Sequence, residues 1–388
     1  MTSLKNIIRY INIFNQFEVS GINNFFSTKR GILLVGLIIG IIAILLQKLG
    51  NPANMGICVA CFWRDITGSL GLHRAKVVQY IRPEVLGFVL GSFGIAIFTK
   101  EFRARGGSST IIRFFLGLFA MIGALAFLGC PWRALLRLSA GDLNAFIGIG
   151  GLVVGIGIGI YFLRQGYNLG RSYTFKKANG IVFPVFAIFL FILLVTKLSS
   201  PGGGVFFSSK GPGASHVNLW IGLGAGLLIG VLAQRTRFCT VGALRDIILA
   251  RDFHLITGVL GLIITALLMN VIFGTFNPGI ENQPIAHSNH LANFLGMILA
   301  GLSFTLAGGC PGRQLILAGE GDSDAGVFIL GMITGAALAH NFSLAAGPDK
   351  LKDGLFQMGG INNFGYGAIA LGLIFCIIIG FNMREKIR

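Results

Sequence analysis

The sequence predicts an all-α polytopic membrane protein: about ten transmembrane helices in two inverted five-helix repeats, with re-entrant short helices. Three observations carry that expectation. The 388-residue chain is 54% hydrophobic and only 12% charged, a composition that suits a bilayer rather than water as solvent. Its apolar residues fall into ten long segments. Two short motifs recur in the same order in both halves, which signals an internal repeat.

The segments follow in order. Residues 1–30 read as an amphipathic N-terminal segment. Leu4, Ile7, Ile8, Ile11 and Phe14 fall at helical spacing with Lys5 and Arg9 elsewhere on the wheel, as in a helix lying on a membrane surface. The stretch is too polar for a signal-peptide core and is expected to remain in the mature protein. Apolar segments then cover 31–47, 84–99, 110–128, 144–163, 180–197, 218–234, 254–276, 291–308, 324–341 and 364–382. Several are near the short end of the spanning range of about 17–25 residues, and 84–99 is the weakest. The connecting stretches 54–72, 129–142, 236–252 and 309–322 are too apolar for ordinary loops and too short to span. They read as re-entrant segments, tolerated only inside protein or along a wet cavity. Glycine sits inside the apolar runs, as in "GIGGLVVGIGIGIYF" (Gly148 to Phe162). With no strand before it and no phosphate-loop lysine, this is not a nucleotide loop. Glycine here lets helix backbones approach closely.

The first repeat is expected over 31–200 and the second over 201–388. "CVACFWRDI" (Cys58 to Ile66) aligns without gaps with "CTVGALRDI" (Cys239 to Ile247). Cys58 thus pairs with Cys239, Arg64 with Arg245, and Asp65 with Asp246. "LGCPWRALLRLSAGD" (Leu128 to Asp142) and "GGCPGRQLILAGEGD" (Gly308 to Asp322) share Gly-Cys-Pro-x-Arg. Five spans per half is an odd number, so the second half must enter the membrane from the opposite side, a plan common in transporters. Lys and Arg are more frequent in the loops and tails on the side of the N-terminus. By the positive-inside rule both termini are expected in the cytoplasm; the membrane expected is a bacterial inner membrane.

The net charge of +17 reflects that rule, or a basic vestibule that attracts an anion. Lys48, Arg64, Arg74, Lys76 and Arg82 lie between the first two spans. They read equally as an external anion-attracting surface or as a solvated loop. Nucleic acid is excluded as a partner, because the basic residues are scattered between apolar segments.

Proline favours the first helical position, so Cys130 and Cys310 are expected at or near helix N-caps. Free N–H groups and the helix dipole there suit an anion. Arg133 and Arg313, one turn on, either bind that anion or pair with Asp142, Asp322, Asp65 or Asp246 to lock the re-entrant hairpins. The repeated Arg64 and Arg245 join the candidate binding set. Cys58, Cys130, Cys239 and Cys310 are candidate substrate-binding thiols, because sulfur is polarisable and suits soft sulfur or selenium atoms. A helix N-terminus lowers a thiol pKa and apolar burial raises it; passage of an anion needs the neutral thiol, since a thiolate repels it. Cys376 reads as an inert buried cysteine. Cys61, matched by Gly242, stays open. "CVAC" also has the C-x-x-C form of a membrane thiol-disulfide oxidoreductase using Cys58 and Cys61, the rival reading. Against it, the repeat keeps only the first Cys, and no second quinone-facing dithiol stands out. Six cysteines are too few for a disulfide framework in a chain this long. The six histidines show no ligand spacing, and His287 and His290 read as solvated loop residues. No catalytic residue, metal or cofactor is expected.

At these residues the chain resembles the YeeE/YedE family of membrane proteins, which carry sulfur-containing ions. The resemblance covers nearly the whole chain, and the Cys-Pro-x-Arg segments are its most specific part. It implies thiosulfate-type uptake relayed by cysteines in short re-entrant helices. The family's motif cysteines match Cys58, Cys130 and Cys310, while Cys239 rests more on the repeat. "MGICVACFWRDITGSLGLHRAKVVQYIRPE" looks more like the YedE branch proposed to serve selenium metabolism. The partners implied are a small sulfur- or selenium-containing inorganic anion, the lipid bilayer and a cytoplasmic sulfurtransferase-like acceptor protein.

Overall fold

The computed structural model describes residues 25–197, 204–352 and 355–385. The amphipathic pattern of residues 1–24 and the expected boundary at 200/201 lie outside the described residues. The described chain is helical, with two small antiparallel ribbons, β1 (Arg105–Gly106) with β2 (Tyr173–Thr174), and β3 (Lys350–Lys352) with β4 (Leu355–Gln357).

Each of the ten apolar segments is a helix: α1 (Lys29–Lys48), α3 (Pro83–Phe98), α4 (Thr110–Phe127), α6 (Asn144–Arg164), α7 (Lys177–Thr196), α8 (Leu219–Thr236), α10 (His254–Ile272), α11 (His290–Ala307), α13 (Ser323–Asn341) and α14 (Asn363–Asn382). Polar caps start many of them. The side chains of Thr28, Asn218, Asn289, Asp322 and Asn362 accept first-turn N–H groups, satisfying donors that a helix start leaves free. Among the described residues nine helical stretches are long and apolar enough to cross a membrane. The exception is α3, whose 16 residues reach about 24 Å against a hydrocarbon core of about 30 Å. The four connecting stretches each hold a short helix: α2 (Val59–Ser69), α5 (Pro131–Ser139), α9 (Thr240–Ala250) and α12 (Pro311–Gly319).

Outward faces are apolar. On α7, Val182, Val185, Phe189 and Ile192 are exposed, as are Leu260, Ile264 and Leu268 on α10. Such faces suit lipid rather than water. Inside, helices of one half pack on helices of the other: α1 on α10, α3 on α8, α4 on α13 and α11, and α6 on α11. Glycines make these crossings close. A Cβ at Gly87 would stand 2.7 Å from the Gly226 backbone, and one at Gly36 would run into Gly258. Gly87→Leu should therefore force α3 off α8 and lower stability by about 1–3 kcal/mol. A melting temperature unchanged in detergent would contradict that packing.

The connectors gather at two opposite ends. One end joins 103–106 to 173–175 and 320–322, and 166–168 to 383–385. The other joins 140–143 to 277–280, 69–79 to 206–208, and 50–51 to 216–217. α2 and α5 begin beneath this second end. α9 and α12 follow α8 and α11 on the side of the first.

Candidate functional site

All four motif cysteines are helix N-caps: Cys58 of α2, Cys130 of α5, Cys239 of α9 and Cys310 of α12. Pro131 and Pro311 occupy the first turn of α5 and α12, where a missing N–H costs nothing. The caps bring the thiols together in two pairs. Cys58 Sγ lies 3.8 Å from Cys130 Sγ, and Cys239 Sγ lies 3.5 Å from Cys310 Sγ. Each first-motif thiol faces backbone donors. Cys58 Sγ accepts from Cys61 N at 3.4 Å; Cys239 Sγ accepts from Gly242 N at 3.2 Å and Cys310 N at 3.4 Å. These are the free N–H groups of helix starts, the donors that hold anions elsewhere. All six cysteines are free and buried. Cys376 meets Ser303 at 3.4 Å, apart from both pairs.

The motif's glycine has a packing reason. A Cβ at Gly129 would stand 2.8 Å from Arg133 Cδ, and one at Gly309 would be 3.2 Å from Arg313 Cγ. Each arginine folds back over the glycine four residues before it. From there the two diverge. Arg133 is fully buried and spends its donors on neutral acceptors: Asn54 O at 3.2 Å, Ile285 O at 3.0 Å, Leu128 O, and Cys61 Sγ at 3.7 Å. Among the described residues it has no carboxylate partner, unlike Arg64, Arg137, Arg245 and Arg313. Leu128, which accepts from both Arg133 and Cys61, has φ +62°, a costly backbone for a branched residue. Arg313 instead reaches Glu320 at 3.2 Å.

The expected aspartate partners go elsewhere. Arg137 takes Asp142 at 2.6 Å, and Arg105 takes Asp322 at 2.8 Å. Arg64 binds its neighbour Asp65, as Arg245 binds Asp246, and Arg82 completes a buried triad on Asp65 at 2.7 Å. Arg82 also donates to Pro212 O and Ser215 O. Arg64 and Arg82 thus tie α2 to its surrounding loops and do not belong to an external basic surface; of that group Lys48, Arg74 and Lys76 are exposed.

Two cavities flank the thiols. A cavity of about 1010 Å³ is lined by Cys239, Arg245, Arg313, Arg235 and Arg237, with Glu101 and Glu320. One of about 440 Å³ at the other end is lined by amides, among them Asn51, Asn54, Asn270 and Gln283, together with Lys48 and the apolar Ile44, Phe273 and Pro284. Asn51, Ala53 and Asn54 of the 49–57 connector between α1 and α2 line it, and Cys58 does not. Only Arg237 and Phe238 separate α8 from Cys239.

The contact of Cys61 with Arg133 puts Cys61 beside the first thiol pair. His287 is not a solvated loop residue: it is buried, its Nε2 lies 2.8 Å from Ala126 O, and burial pushes its pKa down to about 4. His73 and His340, distant in sequence, bring their rings to 4.6 Å. Among the described residues no cluster of three His, Cys, Asp or Glu side chains could hold a metal ion.

Residues 235–388 match a protein family described as sulphur transport. Over 108 residues the chain is 35% identical to the thiosulfate transporter TsuA of Spirochaeta thermophila; the match covers 26% of this chain and 31% of that protein. The chain therefore spans about a third of the length of the curated relative it matches. Both descriptions name transport, and neither names a catalysed reaction. The stretch similar to this sulphur-transport family, residues 235–388, carries Cys239, Arg245, Cys310 and Arg313.

Proposed function

We propose that the protein imports a small sulfur- or selenium-containing anion, thiosulfate-like or a selenium oxyanion, by relay along its N-cap cysteines. The observation that carries this reading is Arg133. A buried guanidinium without a carboxylate among the described residues leaves a charge uncompensated, which is costly in a low-dielectric site. A passing anion relieves that cost. Beside it, Cys58, Cys61 and Cys130 offer polarisable sulfur and weak S–H donors, and backbone N–H groups supply the rest. The anion would move from the Cys58–Cys130 pair to the Cys239–Cys310 pair and leave through the arginine-lined cavity. Arg245 and Arg313 there attract negative charge without holding it tightly, since each is already paired.

The inverted arrangement belongs to the same proposal. Exchanging the halves turns the α1–α10 crossing into α8–α3, and α4–α13 into α11–α6, and both members of each pair are close contacts. Gly36 and Gly226 stand at equal positions in α1 and α8, as do Gly258 and Gly87 in α10 and α3, and these four glycines form the two crossings. A pseudo-two-fold axis in the membrane plane accounts for this. With the termini cytoplasmic in a bacterial inner membrane, the arginine-lined cavity faces inward, where a sulfurtransferase-like acceptor could take the cargo.

Reconstituted vesicles test the reading with labelled thiosulfate, selenite and sulfate. Thiosulfate or selenite should enter, and sulfate, with only hard oxygen atoms, should compete poorly. Cys130→Ser and Cys310→Ser should each slow uptake about tenfold, a loss of about 1.4 kcal/mol, with folding intact. Sulfate competing as well as thiosulfate would remove the thiols from selectivity. A trapped mixed disulfide at Cys58 or Cys61 with quinone-dependent turnover would replace transport with the oxidoreductase reading.

A further inference from the structure

The two Cys-Pro-x-Arg motifs differ at x: Trp132 in one, Gly312 in the other. The structure gives that difference a spatial meaning. The Trp132 indole lies against Gly312, so that a Cβ at Gly312 would come 2.6 Å from Cζ2 and 2.8 Å from Cη2. It also meets Phe238, the residue before Cys239, edge-on at 5.8 Å, and Phe88 of α3 at 5.8 Å. One ring therefore joins the first turn of α5, which begins at Cys130, to the first turn of α12, which begins at Cys310, and to the residue before Cys239. It is 1% exposed. Its Nε1 has no hydrogen-bond partner among the described residues. Leaving a buried donor unpaired is costly, by about 1–3 kcal/mol, and buried indoles usually find an acceptor. Trp63 also has an unpartnered Nε1, but its ring stacks on Phe186 and packs tilted on Phe183, both of α7.

We propose that Trp132 is the gate between the two thiol pairs and that its indole N–H donates to the anion crossing from one to the other. This rests on the transport reading above. The indole face blocks hydrated ions, because nothing on it can replace their water. Its N–H is a donor with no acceptor capacity, so it favours an anion. Gly312 is glycine because the ring occupies the place of its side chain. One tryptophan serves both halves; a second one, at position 312, would overlap the first.

The test uses purified protein in vesicles and three proteins: wild type, Trp132→Phe and Trp132→Ala. Trp132→Phe keeps most of the ring and removes the donor. It should lower the maximal rate of thiosulfate uptake about tenfold, the loss expected for one hydrogen bond to a charged group, while sulfate stays excluded. Trp132→Ala opens the gate, and the preference for thiosulfate over sulfate should fall at least about tenfold. Adding thiosulfate, but not sulfate, should shift the wild-type tryptophan emission, and Trp132→Phe should abolish the shift. Variants that melt like wild type and keep its rate and preference would overturn the gate. If neither variant folds, the wild-type emission decides: no shift with thiosulfate overturns the proposal. Wild-type vesicles that take up no thiosulfate or selenite would sink the transport reading itself.

Discussion

Arg133→Gln is expected to cut thiosulfate uptake about a hundredfold, whereas Arg313→Gln is expected to cut it about fivefold or less. The two arginines hold equivalent places in the repeated motif, so sequence alone assigns them equal effects. Their surroundings do not. Arg133 is sealed among carbonyls and the Cys61 thiol with no carboxylate among the described residues, and a hydrogen bond to a charged group in such a place is worth about 1.5–3 kcal/mol. The upper part of that range is about a hundredfold. Arg313 lines a wide cavity and shares its charge with Glu320, where an ion pair is worth about 0–1 kcal/mol. Glutamine at 133 also leaves the carbonyls of Asn54, Leu128 and Ile285 with fewer donors, so the loss must be separated from misfolding. Arg133→Lys does this. Lysine keeps the charge but not the planar fork, and uptake should recover to within about tenfold of wild type. Lysine and glutamine variants equally inactive, though folded, would make Arg133 a clamp on the connector and remove the observation on which the transport proposal stands.

What the sequence made legible was whatever depends on local chemistry. Hydropathy located all ten long helices, because lipid-facing and core-facing residues are both apolar and the runs between polar loops are long. Cys-Pro fixed the N-caps at Cys130 and Cys310, because proline restricts the backbone there regardless of context. Partner choice was not legible. Arg133 and Arg137 lie one turn apart on α5, and only three-dimensional reach decides that Arg137 takes Asp142 while Arg133 turns back over Gly129. The same holds for Arg313 and Glu320, for the approach of His73 to His340, and for the burial of His287 under α4. The Trp132 and Gly312 difference was visible in the motif, but its meaning needed the ring's position against α12. One signal was present in the sequence: the connector before Cys58 is longer than the connector before Cys239.

That difference in length sets the last expected result. In single-cysteine variants a membrane-impermeant thiol reagent should modify Cys239 from the side of the chain termini at least about a hundredfold faster than it modifies Cys58 or Cys130 from either side. Cys239 lines the larger cavity, with only Arg237 and Phe238 between it and α8. Cys58 and Cys130 lie beneath the 49–57 connector, where Asn54 is held from both directions: its N–H by the Gln47 side chain and its carbonyl by Arg133. Reaching those thiols requires that connector to open, and a local opening of about 3 kcal/mol slows modification by about a hundredfold. Thiosulfate should protect Cys239, because it would occupy the same donors that hold the sulfur. Fast labelling of Cys58 from the far side would mean that the connector is no cover, and the resting protein would be open at both ends. Labelling of Cys58 and Cys239 from one side alone would be incompatible with inverted halves. The asymmetry also gives the connector a role in direction. If its opening is linked to Arg133 through Asn54, an anion arriving at the guanidinium competes with the carbonyl that holds the cover shut. Shortening the connector should then speed Cys58 labelling in the absence of substrate and remove its dependence on thiosulfate.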